Sequence, residues 1–580
     1  MDLVNFILFM KKFSLCLLFG LITVQSVLAQ KPALQIAAKL VESMPNMPEP
    51  YKMKDWKHIV KKQDSLLYNF HAKGRFLPLI WWDDNKTNFP IRSFGIPSYV
   101  GALANESKKA NYESLPVMGS IISATLVGFN KSNYDGNDFV TMCKQFYNTK
   151  NGVNLIMNSV DRKPGQTFWY EIFPGMAFSM LVNEYPENND ISDVMKLNAT
   201  KWIEAIDGLS KGRKYPDFNY TSYNFNTKKG VYNGIWHEPD AAAGLAWLEF
   251  AAWKKFGDER FLKASQLCME YLQNRPSKEG PFYELMMPYG AYLAVRLNAE
   301  SGTHYDELKM LNWCFDGNNT DRDGWGVTTG KWGEYDIDGL VGQKKEEQYA
   351  FAMNTFSHAA ALVPIVKYNP AYAKTIGKWI LNLANASRLF YGDEHPKNQQ
   401  SSAIWQGDPD HVICYEGLRK DLDHGNRFGV FKGILSEKGP YAIGDQVKDQ
   451  TAFTDICPYG SAWVGMLAAI VDTTNVKGIL QLDCNATDFY SSKKFKSYLL
   501  YNPYPGVKII HFNTGEKKMN VYDRVSKMYL VKNANGIIDI SLDGDTAMSL
   551  VLVPSGIKVE KKGPKLMADN IVVDFNIEGR

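Results

Sequence analysis

The feature that most constrains this chain is a recurring two-part segment. A glycine- and alanine-rich apolar stretch is followed by a second helical stretch that carries Lys and Glu on one face. The apolar members lie near residues 115–130, 167–184, 240–256, 284–299, 348–368 and 459–472. Their apolar positions recur at helical rather than alternating spacing, which predicts helices and not strands. Each of the first five is followed by a more polar helix, near 137–148, 193–208, 258–273, 303–314 and 371–388. Small residues, as in Ala241-Ala242-Ala243-Gly244, let helices approach closely, and the charge along Asp258-Glu259-Arg260 marks a solvated face. Gly257 and Pro276 are legible stops. Six inner helices with outer partners predict a closed ring of helical hairpins. Their spacing is too irregular for short solenoid repeats, and the excess lies in loops. The longest loop, 389–458, carries Trp405 and is expected to be ordered and functional.

After about residue 485 the texture changes. Short β-rich runs near 497–503, 507–512, 537–542 and 548–554 are separated by turn residues such as Asn513-Thr514-Gly515. They predict a smaller antiparallel β-sandwich. At the other end, Lys11 and Lys12 precede an apolar run that closes on Ser26-Val27-Leu28-Ala29. This predicts a signal peptide over 1–29 and an exported chain, periplasmic or secreted. The expected layout is therefore 1–29 signal peptide, 30–485 helical ring and 486–580 β-sandwich. No later segment is long and apolar enough to predict a membrane span after cleavage.

Charge is nearly balanced, with 65 basic against 62 acidic residues, which argues against a nucleic-acid partner. Aromatic residues make up 13% of the chain. Trp and Tyr offer a flat apolar face and a polar edge, which suits a carbohydrate substrate as well as a large core. The six cysteines beyond the leader include no CxxC pair, so a zinc cluster is not expected. There is no dinucleotide fingerprint, phosphate loop or GxSxG elbow, and no cofactor is expected. The stretch Asp316-Gly317-Asn318-Asn319-Thr320-Asp321 has the oxygen density of a calcium loop. It lacks the terminal Glu of that pattern, with Thr328 in its place, and no metal site is assigned.

A leader, a ring of about six helical hairpins and a C-terminal β-sandwich resemble the (α/α)-toroid carbohydrate-active enzymes, which include glycoside hydrolases and polysaccharide lyases. The resemblance covers most of residues 40–580 and rests on architecture and composition, without a family motif matched residue by residue. It implies a mainly α fold, an (α/α)6-type toroid, with a sugar cleft at one rim.

Carboxylates stand beside aromatics at the starts of the expected inner helices: Trp169-Tyr170-Glu171, Trp236-His237-Glu238-Pro239-Asp240 and Tyr283-Glu284 among them. Glycoside hydrolysis needs two carboxyls flanking the bond. Asp240 and Glu238 are the first candidates, although Pro239 also makes either a plausible helix cap. A helix N-terminus favours the ionised form, so Asp240 is expected to serve as base. Glu171 and Glu284, beside aromatics, are candidates for the acid. Trp82, Trp236, Trp325 and Trp405 are candidate sugar platforms. A lyase would instead use His237 with Tyr289 or Tyr283, and Asn233 or Arg296 to neutralise a uronate. A non-catalytic glycan-binding protein is the third reading.

Overall fold

The computed structural model describes residues 33–100, 113–316, 322–401, 408, 410–422, 431, 433–444 and 456–578. The expected signal peptide, Trp405 and most of the expected calcium loop lie outside these residues.

Eleven helices carry the description: Trp56–Leu67 (α1), Ser114–Leu126 (α2), Phe168–Glu184 (α3), Asn189–Ser210 (α4), Ala241–Phe256 (α5), Glu259–Asn274 (α6), Met287–Ser301 (α7), Glu307–Asp316 (α8), Ala352–Leu362 (α9), Ala373–Ala386 (α10) and Val464–Ile470 (α11). The apolar set α2, α3, α5, α7, α9 and α11 falls within or near the expected runs, but the last two are shorter than expected, with Tyr349–Phe351 and Val471–Thr473 as strands at their ends. Each packs against the next, and α11 packs back onto α2, so the neighbour relations close on themselves. At that seam a Cβ on Gly465 would stand 2.3 Å from Ser123 Cα, so only glycine lets the last helix reach the first. The Gly465 N–H donates to Ser123 Oγ at 3.0 Å, fixing the same contact.

The polar helices pack outside. α4 lies on α3, α6 on α5, α8 on α7 and α10 on α9. The helix expected near 137–148 is shorter and partly 3-10, as Phe139–Met142 followed by Cys143–Phe146. The last apolar helix has no following partner in sequence. The N-terminal α1 packs on α11 and supplies one. Asp55 starts α1 by accepting from the His58 N–H at 2.9 Å, a cap that satisfies one of the donors a helix start leaves open.

The long loops are not bare. Trp325–Val327, Val341–Gln343, Tyr349–Phe351, Gly417–Arg419 and Tyr441–Ile443 form one five-stranded antiparallel sheet. It joins the segment before α9 to the segment before α11.

In the C-terminal region a six-stranded sheet runs in the order Val471–Thr473, Leu480–Asp483, Ser497–Tyr501, Ala547–Pro554, Met519–Asp523, Met528–Ala534. Its first two strands come before residue 486. Lys508–Asn513 pairs with Ile537–Leu542, and Ile510, Phe512, Ile540 and Leu542 share one apolar core with Leu500, Val521 and Leu552 of the larger sheet. The ribbon Val559–Lys562, Lys565–Ala568, Ile571–Asp574 contributes Ala568 and Val573 to a second apolar cluster with Tyr522, Val551 and Val553. Strands Ser497–Tyr501 and Ala547–Pro554 pack on α10. Among the described residues no helix is long and apolar enough to cross a membrane. Cys143, Cys268, Cys314, Cys414, Cys457 and Cys484 are buried free thiols.

Candidate active site

Carboxylates gather at the N-terminal ends of the inner helices, in two layers. The inner layer is fully buried. Glu171 stands in the first turn of α3, where its Oε1 accepts the Gly165 and Gln166 N–H groups at 2.6 and 2.9 Å. Burial pushes its carboxyl up to about 8. Glu238 accepts from the Trp169 N–H at 2.9 Å and from Trp236 Nε1 at 3.1 Å, with Arg322 at 3.8 Å. Burial raises it as well. Asp240 precedes α5 but makes no side-chain cap bond. Its Oδ2 accepts the Tyr283 N–H at 3.3 Å. Burial, and next the Glu238 charge, hold Asp240 well above the ordinary carboxylate range.

Burial thus opposes the role of base expected of Asp240. A helix N-terminus favours an anion only where water or donors solvate it, and at Asp240 desolvation outweighs that dipole. Its side chain does not cap the helix.

The outer layer is partly open to solvent: Glu113, Glu284 and Glu416, with Tyr170, Tyr283, Tyr459, Arg162 and Arg322. Glu113 immediately precedes α2 and accepts from Ser98 Oγ and from Asn158 Nδ2, the latter at 2.7 Å. Burial raises its carboxyl. Glu284 sits on a turn just before α7, closed by the Leu285 N–H donating to the Tyr283 carbonyl at 2.8 Å. Its φ of 55° is left-handed, a costly conformation for a side chain of this size and one that often marks a working residue. Burial pushes Glu284 up to about 7; the Tyr283 hydroxyl and Arg322 oppose this, and Glu238 and Glu416 add to it. Glu416 takes a different environment. Tyr99 donates to its Oε1 and Tyr349 to its Oε2, each at 2.8 Å.

The three outer carboxylates act on the same two tyrosines. Glu113, Glu284 and Glu416 each raise both Tyr170 and Tyr459, after burial. Tyr99 stacks over Tyr459 with centroids 6.5 Å apart. Arg322 lies over Tyr283 at 3.5 Å and over Trp236 at 4.4 Å, and Arg162 lies over Tyr170 at 4.4 Å. The five-stranded sheet places Trp325 against Tyr283 and Phe351, at 5.2 and 5.3 Å. Acids of unlike environment, two arginines and a tyrosine lining can transfer protons at a polar, non-ionic bond.

Of the expected residues, Glu284, Glu238, Asp240, Glu171, Trp236 and Trp325 come together here. Others do not. Tyr289 is buried in the core against Trp247, centroids 5.4 Å apart. Arg296 is fully buried, donating to the Phe489 and Tyr490 carbonyls at 2.9 and 2.8 Å and to Glu300 at 2.9 Å. It ties α7 to the start of the C-terminal region and has no route to a substrate. Trp82 stacks on Phe70 at 4.4 Å with Arg92 above it at 4.1 Å, a packed corner. Asn233 shapes its own exposed turn by accepting from the Ile235 and Trp236 N–H groups. His237 stacks on Tyr232 at 4.3 Å, turned toward a neighbouring cavity. Of the residues expected of a lyase, Tyr289 and Arg296 are thus in the core, Asn233 and His237 share one loop, and Tyr283 lies in the site beside Arg322.

Sequence reasoning missed Glu113, Glu416, Arg162, Arg322, Tyr99 and Tyr459. A signal for the acids existed. The dipeptide Tyr-Glu occurs four times, at 112–113, 170–171, 283–284 and 415–416. Three of these glutamates form the outer layer, and the fourth repeat contributes Tyr170 to it.

No family model matches the chain, and no curated protein matches it in sequence. Among solved structures it is similar to a family 76 glycoside hydrolase from a bovine Bacteroides thetaiotaomicron strain, at 11% identity over 72% of this chain and 76% of that one, with a TM-score of 0.40. It is also similar to a GH127 β-L-arabinofuranosidase from Geobacillus stearothermophilus T6, at 10% identity over 90% and 85% of the two chains, with a TM-score of 0.34. Similarity at this level leaves the chemistry to be read from the site itself.

Proposed function

We propose that the chain is an exported glycoside hydrolase that cleaves an oligo- or polysaccharide by carboxylate acid–base catalysis. In this reading the helical body is an (α/α)6-type toroid, the C-terminal region is a β-sandwich that supports it, and the outer carboxylates line the cleft. The observation that carries the reading is the pairing of Glu284 with Glu416 around shared tyrosines. One carboxyl is raised to about 7 by burial and the other is held by two hydroxyl donors. Titratable groups whose environments push them apart divide naturally into acid and base.

Glu284 is the general acid. Near neutral pH it retains a proton to give to the leaving-group oxygen as the glycosidic bond breaks. Glu416 is the base, taking a proton from water or attacking the sugar directly. Arg322, stacked on Tyr283, limits how far Glu284 rises and keeps its proton transferable. Trp236 and Tyr459 offer aromatic surface to the sugar, and the buried Trp325 backs Tyr283.

The test is a screen of plant, algal and host glycans with product analysis, run on the full chain and on Glu284→Gln. Hydrolysis by the wild type and its loss in the variant support the reading. Equal turnover by both removes Glu284 from the chemistry.

A further inference from the structure

Beside the carboxylates lies a cavity of about 830 Å³ that the proposed reaction does not use. Ligand sites commonly fall between about 300 and 1,000 Å³. Its walls come from the loops after α4 and α6, and from His237. These loops run straight on into the site. His237 is followed by Glu238, and Glu279 in the cavity wall stands five residues before Glu284. Five residues of chain reach at most about 18 Å.

The lining is suited to sugar. Tyr215 brings an aromatic ring, while Asn219, Asn274, Lys214 and the buried Tyr271 bring polar groups. One wall is preorganised: Tyr271 donates to Asn219 Oδ1 at 2.9 Å, and Arg275 Nη1 donates to the same oxygen at 2.9 Å and to the Tyr271 hydroxyl at 2.8 Å. Groups already locked together lose little freedom when a ligand arrives. The charge of Arg213 is engaged by Asp217. At the lip, the His237 ring is backed by Tyr232, stacked at 4.3 Å and 19°, with Tyr232 49% exposed. A flat ring beside fixed donors and acceptors matches a sugar's C–H face and hydroxyl rim.

We propose that this cavity is a subsite for a sugar unit distal to the bond being cleaved, so that the preferred substrate is an oligosaccharide spanning both places. The proposal rests on the hydrolase reading for its direction. Remote binding of this kind raises kcat/KM on long substrates without touching the reacting bond.

The experiment compares the wild type with Tyr215→Ala and Asn274→Ala on a ladder of oligosaccharides of the glycan the screen identifies. The expected result is a roughly tenfold loss of kcat/KM on the long members, with the shortest cleaved member unchanged. Unaltered kinetics on the whole ladder, or an equal loss at every length, overturns the proposal. If the wild type cleaves no glycan, calorimetry with commercial oligosaccharide ladders separates the two claims. Binding that weakens in Tyr215→Ala supports the subsite while the hydrolase reading fails. Absence of binding overturns the subsite too.

Discussion

Tyr99 donates its hydroxyl to Glu416 Oε1 at 2.8 Å across 317 residues of sequence. Tyr349 donates to the other oxygen, so the carboxylate is held from both sides. Burial, reinforced by Glu416 itself, keeps Tyr99 well above its usual range. The account predicts that Tyr99→Phe lowers kcat and moves the acid limb of the pH–rate profile to higher pH. Removing a donor to the charged form makes Glu416 easier to protonate. A limb that stays in place would mean the base lies elsewhere.

Glu284→Gln keeps the shape of the side chain and removes its proton. We expect kcat to fall by about 10²- to 10⁴-fold, the usual range for a positioned acid. In the wild type, activity should decline as pH rises through about 7, because the acid must be protonated. That limb should be absent from the residual activity of the variant.

Asp240→Asn should behave differently. Asp240 is buried and raised, and asparagine mimics its protonated form while leaving an oxygen for the Tyr283 N–H. Turnover and thermal midpoint should both stay near wild type. A loss as deep as that of Glu284→Gln would return Asp240 to the reaction.

Glu171 carries a stability prediction. Its carboxyl is raised from 4.5 to about 8 by burial, so the folded state binds the proton more tightly than the unfolded state does. Its contribution is fully present below about pH 4.5 and is lost as pH rises to about 8, by an amount on the order of a few kcal/mol. Glu171→Gln keeps an acceptor for Gly165 and Gln166 and cannot titrate. Denaturant midpoints measured across that window should fall with pH in the wild type and fall less steeply in the variant.

Gly465→Ala tests the contact between α11 and α2. The added methyl would meet Ser123 backbone, which cannot step aside as a side-chain tip could. A cost of about 1–3 kcal/mol is expected from overpacking, read as a lower denaturant midpoint with an unchanged slope.

The inner helices were legible because close helix packing leaves a direct mark, a run of small and apolar residues, at every contact. Gly465 and Ala241 to Gly244 are such marks. The five-stranded sheet was not legible. Each of its strands has three residues, as in Gly417–Arg419, too short to show alternation. Glu416 stands just before that strand and was lost with it. Asp240 was noticed for a good reason, its place before α5, yet burial decides its protonation and burial is a property of the packed whole. Arg296 and Tyr289 looked like reagents because their residue types can act. Their helix turns both into the interior.

The central claim is hydrolysis by the outer carboxylates. It is tested most directly by incubating the full chain with a glycan panel in ¹⁸O-labelled water and weighing the products. The account predicts fragments that have gained one labelled oxygen, lost when Glu284 is replaced by Gln. Unsaturated fragments without label would make the chain a lyase, and intact glycans throughout would make it a binding protein.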